Sequence, residues 1–341
     1  MVVDVTGFGW SGSGAVIDLL KEYDELQYSK TFSGELSLLH NVDGIRDLEY
    51  KLCQKKGHVL DADIAVKRFF HLIDKYYDKD KAFNGKLSLI VRDYITKLGG
   101  IEYLSRSGYD KTYFYTNKLI LSAAYNKIVK HLTGGKYEKK LRIDNMNMKY
   151  LIVNPDNFVS ATQEFVQSVL RIIRDESELP LITDHLFPPI HPEEYFKYAG
   201  EYAKCVIVWR DPRDTYILAK AVYGGKIPVP CDSVESFCWY YKRKIEETRQ
   251  TDSDNVMTLR FEDFIYNYEK ARKRLEDFLQ IAKHSRQKIF FKPEKSIANT
   301  RLYQRYTEYE KDINYIQSTL KESLFPFEAY SQKNDGKAAI F

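Results

Sequence analysis

No run of apolar residues in this chain approaches the ~20 needed to cross a bilayer. No basic region precedes the apolar stretch at its N-terminus, which argues against a secretory signal. Cysteine is scarce: Cys53, Cys205, Cys231 and Cys238 are all there is. Their spacing matches neither a zinc ligand set nor a redox pair, so free thiols in a reducing compartment are expected, with the cytoplasm as the location and no metal site. An excess of either charge is missing too. Fifty-two basic against 48 acidic residues leave a net charge of +4, with no concentrated basic stripe for nucleic acid. Internal repeats, heptads and low-complexity tracts are absent.

What is present suits one globular α/β enzyme. The 341 residues are 44% hydrophobic, enough for a buried core, and α/β chains of this size are often one domain carrying an insertion. The most informative stretch comes first. Val2-Val3-Asp4-Val5 reads as a short buried strand, Thr6 to Gly14 as a Gly/Ser-rich turn, and Ala15 to Leu20 as the start of an apolar helix. That order collects free backbone N–H groups and the positive end of a helix around one anion, most naturally a phosphate.

Three loop chemistries share this geometry. Gly7-x4-Gly12 has Walker spacing, but Ser13 and Gly14 stand where phosphoryl transfer needs Lys and a Mg²⁺-binding hydroxyl, which argues strongly against an ATPase or kinase. Gly7-x-Gly9-x-x-Gly12 also fits the dinucleotide fingerprint, which requires an acid closing the second strand to hold ribose. The candidate second strand, Leu26 to Ser29, ends at Lys30, and the nearest later acid is Glu35. A Rossmann-type NAD-binding oxidoreductase therefore remains as an alternative.

A second motif separates these readings. Lys204 to Trp209 is an apolar run of strand length leading into Arg210-Asp211-Pro212-Arg213-Asp214 and a helix through Ala219. A third stretch, Val256 to Phe264, reads as a strand followed by Arg260-Phe261-Glu262-Asp263-Phe264 and a helix ending near Phe278-Leu279. In these three segments, and in their order, the chain resembles the sulfotransferases that use 3′-phosphoadenosine 5′-phosphosulfate (PAPS), in particular bacterial polysaccharide-modifying ones. The resemblance implies a P-loop-like three-layer α/β fold with a central parallel sheet and a metal-independent transfer of a sulfuryl group to a hydroxyl. The acceptor it suggests is a carbohydrate of a capsule or lipopolysaccharide precursor. It also implies that Ser11, Gly12, Ser13, Gly14 and Ala15 hold the 5′-phosphate and Arg210 the 3′-phosphate. Pro293 to Arg301 resembles the family's segment over the 3′-phosphate, which carries over Ser296 and Arg301, although the family often has glycine at the latter. Two positions depart from the family: Trp10 replaces a Lys or Arg that meets the sulfuryl oxygens, and Leu218 replaces a 3′-phosphate serine eight residues after Arg210. A non-catalytic nucleotide- or glycan-binding protein of the same fold is the second alternative.

Two residues are candidates for the base. Glu35 and His185 each follow a candidate strand and can face one cleft; Glu35 is preferred as the base, with His185 as an imidazolium beside the sulfuryl group as its second role. Asp184 is placed to orient the imidazole, except that neighbours on a strand point to opposite faces. Plainer roles compete: a structural histidine before Leu186-Phe187-Pro188-Pro189, a helix-start charge for Glu35 after Ser33, and a surface Arg210–Asp214 pair capping a helix.

The remaining sequence sets the organisation: a single domain, 1–341, with a helical insertion at about 43–150. Val66, Phe69, Phe70 and Ile73 share one helix face there, and Leu119, Ala123 and Ile128 another; Gly99-Gly100 and Gly134-Gly135 read as helix-ending turns. Beyond it, helices are expected over Ala161–Arg174, Pro192–Tyr202, Val234–Arg249 and Asp263–Ile281, with a strand at Leu181-Ile182-Thr183 and a loose tail at Lys333–Lys337.

Overall fold

The computed structural model describes residues 1–32, 34–55, 59–105, 116–135, 146–175, 178–200, 202–225, 229–248 and 252–330. Expectations at Ser33, Arg249 and Lys333–Lys337 lie outside these residues. In chain order the elements used below are β1 (Val2–Gly7), α1 (Ser13–Leu20), β2 (Gln27–Tyr28), α2 (Ile45–Glu49), α3 (Val59–Tyr76), α4 (Lys86–Lys97), β3 (Ile101–Ser105), α5 (Thr116–Leu132), β4 (Met146–Tyr150), α6 (Pro155–Ile173), β5 (Leu181–Asp184), α7 (Glu193–Phe196), β6 (Ala203–Trp209), α8 (Pro212–Ile217), α9 (Val234–Thr248), β7 (Val256–Arg260), α10 (Asp263–Tyr266), α11 (Tyr268–Leu279), α12 (Pro293–Ser296) and α13 (Glu310–Thr319). The chain divides into two compact units, 1–40 with 166–341, and 41–165.

The first unit is α/β. Its five strands are all parallel, in the order β2-β5-β1-β6-β7, and helices flank the sheet. β1 and β6 are the sequence's continuous apolar runs, buried along nearly their whole length as interior parallel strands are. Strand alternation divides their side chains between the two faces. Val3, Val5, Val206 and Val208 pack with Val16, Leu19 and Leu20 of α1 and Leu275 and Leu279 of α11. A second core joins α8, α9 and α13 through Tyr216, Phe237, Tyr241 and Ile316.

The second unit, 41–165, is mostly helical. Val66, Phe69 and Ile73 of α3 are fully buried, and Phe69 meets Tyr94 and Phe165 edge-on. The charged pattern of this stretch conceals an antiparallel ribbon, β3 with β4. Gly100 at φ 104° turns the chain into β3, where a Cβ would lie 2.5 Å from the Tyr150 carbonyl oxygen. Ala123 and Ile128 of α5 are exposed, so that face is not a buried stripe among the described residues.

Other differences are local and have physical causes. The helix expected over Pro192–Tyr202 is one turn, α7, and the chain then reverses through Gly200 at φ 69°. The helix expected over Asp263–Ile281 is two, because Asn267 leaves helical geometry and its side-chain amide donates to Asp263 (3.0 Å) and the Tyr330 hydroxyl (2.6 Å). α6 starts at Pro155 rather than Ala161, with the Asn154 side chain accepting from the Asp156 N–H at 2.9 Å. All four cysteines are free and buried, and no described helix is long and apolar enough to cross a membrane.

The loop after β1 depends on one glycine. Gly12 caps α1 at φ 90°, and a Cβ there would sit 2.6 Å from the Phe261 ring. Gly12→Ala combines left-handed strain with overpacking, so a loss of about 1–3 kcal/mol in urea unfolding is expected. An unchanged urea midpoint would show that Phe261 moves aside freely.

Candidate functional site

Three adjacent strands, β5, β1 and β6, end at one edge of the sheet and deliver three different groups. β1 delivers the Gly7–Gly14 loop, β5 delivers His185 and β6 delivers Arg210. A cavity of about 320 Å³ opens there, lined by Gly7 to Gly14, Glu35, His185, Arg210, Leu218 and Tyr223. This is the carboxyl edge of an open α/β sheet, where such folds bind ligands.

The backbone of the loop has the geometry that suits an anion. The N–H groups of Gly12, Ser13 and Gly14 have no acceptor among the described residues, and they stand at the positive end of α1. The Ala15 N–H is already used, donating to the Gly12 carbonyl at 3.1 Å. Gly7 must lack a side chain, because a Cβ would lie 2.0 Å from Ser11 Oγ and 2.9 Å from the Val208 carbonyl oxygen. Trp10 takes positive φ, 66°, an uncommon backbone for a bulky residue. Its indole stacks on Tyr223 with centroids 3.7 Å apart, and its buried Nε1 has no partner among the described residues. The loop therefore presents aromatic surface at Trp10.

His185 is held at both ring nitrogens. Nδ1 lies 2.6 Å from an Asp184 carboxylate oxygen, and Nε2 lies 3.1 Å from the Gly7 carbonyl oxygen and 3.3 Å from its N–H. Strand alternation does not separate Asp184 from His185, because His185 at φ 56° has already left the strand. Its backbone N–H donates to Val5 at 3.1 Å, and its carbonyl oxygen accepts from the His40 ring at 3.0 Å. Burial alone would lower its pKa; the bond and charge of Asp184, with Glu35 and Asp4, raise it to about 9. The Asp184 carboxylate thus favours the protonated ring, with Nδ1–H donating to Asp184. Glu35 lines the same cavity, is exposed, and its carboxylate has no hydrogen-bond partner among the described residues. The Leu36 N–H next to it donates to the Asp184 carbonyl at 2.7 Å, which ties this segment to β5.

Arg210 is not part of a surface ion pair. It is 1% exposed, its guanidinium lies 4.9 Å from the Phe261 centroid, and it donates to the Trp10 (3.3 Å) and Asn299 carbonyls. Its Nε has no partner among the described residues, and burial lowers its pKa against the raising charges of Asp214, Glu262 and Asp211. The helix cap is Asp211, which accepts from the Arg213 N–H at 2.9 Å and pairs with the Arg213 guanidinium through both oxygens at 2.9 and 2.8 Å. Glu262 ties in the third motif by accepting from the Asp211 N–H at 2.8 Å, and burial raises its pKa to about 8.

Ser296 and Arg301 are not among the cavity's lining residues. Ser296 ends α12. Arg301 is buried, donates to the Phe327 (2.6 Å) and Tyr330 (2.9 Å) carbonyls, and offers its N–H to Asp214 at 2.8 Å. Its φ of 53° is the backbone that glycine adopts freely. Sequence reasoning missed Tyr223 and Asp4. Nothing local marks Tyr223, whereas an acid inside an apolar strand marks Asp4.

No family model and no curated protein matches the chain. Among solved structures it is similar to the sulfotransferase domain from the Synechococcus PCC 7002 olefin synthase, at 13% identity and TM-score 0.41, with 97% of this chain and 95% of that chain covered. It is also similar to the sulfotransferase domain from the curacin biosynthetic pathway, at 12% identity and TM-score 0.36, with 94% and 97% covered. Likenesses this remote carry no functional argument. Among the described residues no cluster of His, Cys, Asp or Glu is arranged to hold a metal ion.

The histidine pair gives a pH prediction. The folded pKa is raised, so the stability it contributes is full below the unfolded value of ~6.5 and is lost as pH rises through about 9. Urea unfolding of wild type and His185→Gln at pH 6 and pH 9.5 should show a stability gap that narrows at the higher pH. A gap independent of pH would show that His185 is neutral in the folded protein.

Proposed function

We propose that this chain is a PAPS-dependent sulfotransferase. The observation that carries the reading is the convergence of a Lys-free phosphate cradle, a buried arginine and an unpartnered carboxylate on one cavity. A cradle without the Walker Lys and Mg²⁺ hydroxyl suits a nucleotide bound without metal. The N–H groups of Gly12, Ser13 and Gly14, with the Ser11 and Ser13 hydroxyls, take the 5′-phosphate side. Arg210 takes the 3′-phosphate through a charge-assisted fork.

Sulfuryl transfer forms a bond from the acceptor oxygen to sulfur and breaks the bond from sulfur to the 5′-phosphate oxygen. The acceptor proton must leave, and Glu35 is the group with a free carboxylate to receive it. His185, protonated and anchored between Asp184 and Gly7, supplies the positive charge that Trp10 does not. A hydroxyl of a carbohydrate is the proposed acceptor; that choice, the polysaccharide pathway and the cytoplasmic location rest on the sequence resemblance. One observation favours a non-catalytic nucleotide-binding role instead: the Trp10–Tyr223 stack stands where the family has a cation. Turnover separates the two.

Two measurements test this function. Arg210→Lys keeps charge and much of the packing but loses the fork, so affinity for 3′,5′-ADP should fall about tenfold or more, with 5′-AMP nearly unchanged. Equal weakening of both nucleotides would remove Arg210 from the 3′-phosphate. Glu35→Gln should retain 3′,5′-ADP binding and lose roughly 10²–10⁴-fold in sulfuryl transfer from PAPS. Normal turnover by Glu35→Gln beside a dead His185→Ala would exchange their roles.

A further inference from the structure

We propose that Asp4, inside the central strand, is a positioning residue: its carboxylate holds the turn after β5 and so fixes the His185 imidazole across the start of the loop. The catalytic consequence rests on the function proposed above. Asp4 is fully buried and sits opposite Thr183 in the β1–β5 register. One carboxylate oxygen accepts from the Thr183 hydroxyl at 2.7 Å and the Leu186 N–H at 2.9 Å, and the other from the Phe187 N–H at 3.0 Å. Leu186 and Phe187 are themselves fully buried, so without Asp4 two backbone donors would be left unpaired in the core.

A structural role alone does not explain this choice of residue. A buried carboxylate in an apolar strand is costly, and among the described residues no Lys or Arg pairs with it. Its three donors come from Thr183, Leu186 and Phe187, which bracket His185 on both sides. The imidazole is thus held at its ring by Asp184 and Gly7, and its backbone is fixed by Val5 at His185 itself and by Asp4 at the next two residues, Leu186 and Phe187. Asp4 does not line the cavity, so it acts on a ligand only through His185. The titratable groups around the two are Asp184, Glu35 and His40 at the histidine, and Cys205 at Asp4. Burial raises the Asp4 pKa to about 7 despite its donors and the charge of His185, and burial keeps Cys205 a neutral thiol.

Asp4→Asn keeps the size but leaves one acceptor oxygen for three donors and removes the negative charge. The test is the titration of the His185 ring, followed by NMR in the ligand-free full chain, with 3′,5′-ADP affinity and PAPS turnover measured alongside. A folded Asp4→Asn should titrate His185 at lower pH than wild type, bind 3′,5′-ADP within about twofold of wild type, and transfer sulfuryl groups roughly tenfold or more slowly. An unchanged His185 titration in folded Asp4→Asn would overturn the assignment. If Asp4→Asn does not fold, Thr183→Val removes one donor and keeps both backbone bonds; a smaller shift in the same direction supports the role, and none overturns it. Absence of 3′,5′-ADP binding by the wild type would count against the proposed function, while the ligand-free titration still decides whether Asp4 positions His185.

Discussion

Parallel pairing of β5, β1 and β6 places Val5 opposite Asp184 and Gly7 opposite Val208, so the three strands leave the sheet within a few residues of one another. The candidate site depends on that register. The loop shares one cavity with a histidine 178 residues after Gly7 and an arginine 200 residues after Trp10 only because their strands are neighbours and end together. A slip of one residue in any strand would exchange the side chains on its two faces and carry its terminal group away from the others. The buried alternation of Val3 and Val5 with Asp4 and Thr6 fixes that register from within.

Backbone conformation then aims the groups that the strands deliver. Trp10, Gly12 and His185 all have positive φ within one small region, and two of them are not glycine. Such residues cost of order 1–3 kcal/mol each and persist where surrounding contacts over-determine them. Those contacts are visible. Tyr223 holds the Trp10 ring, Phe261 fills the space beside Gly12, and Asp184, Gly7 and Val5 hold His185.

Charge at the site is distributed differently from the sequence resemblance. The loop is aromatic at Trp10, and the basic side chains arrive from the other two strands as His185 and Arg210. Behind Arg210, Asp211, Asp214 and Glu262 form a buried acidic group that Arg213 only partly offsets. Burial and the neighbouring Asp211 raise Asp214 to about 7, and burial raises Glu262 to about 8. Arg210 is thus held in place by carbonyls, an aromatic ring and surrounding carboxyls before any ligand arrives.

The sequence by itself determined the α/β class, the loop between β1 and α1, and the strand before Arg210, because apolar runs and glycine clusters are local signals. It also placed His185 directly after a strand and Glu35 in the segment that follows another. Tertiary structure alone decided the rest. It separated Arg210, buried against Phe261, from Arg301, which binds Phe327 and Tyr330, though both are arginines in family-like segments. It brought Asp184 onto the His185 ring despite strand alternation, and it revealed the β3–β4 ribbon hidden in a charged, helix-like stretch. It also recruited Asp4 and Tyr223. These depend on contacts between residues far apart in the chain, and local periodicity carries no record of which distant donor or ring will complete a side chain's surroundings.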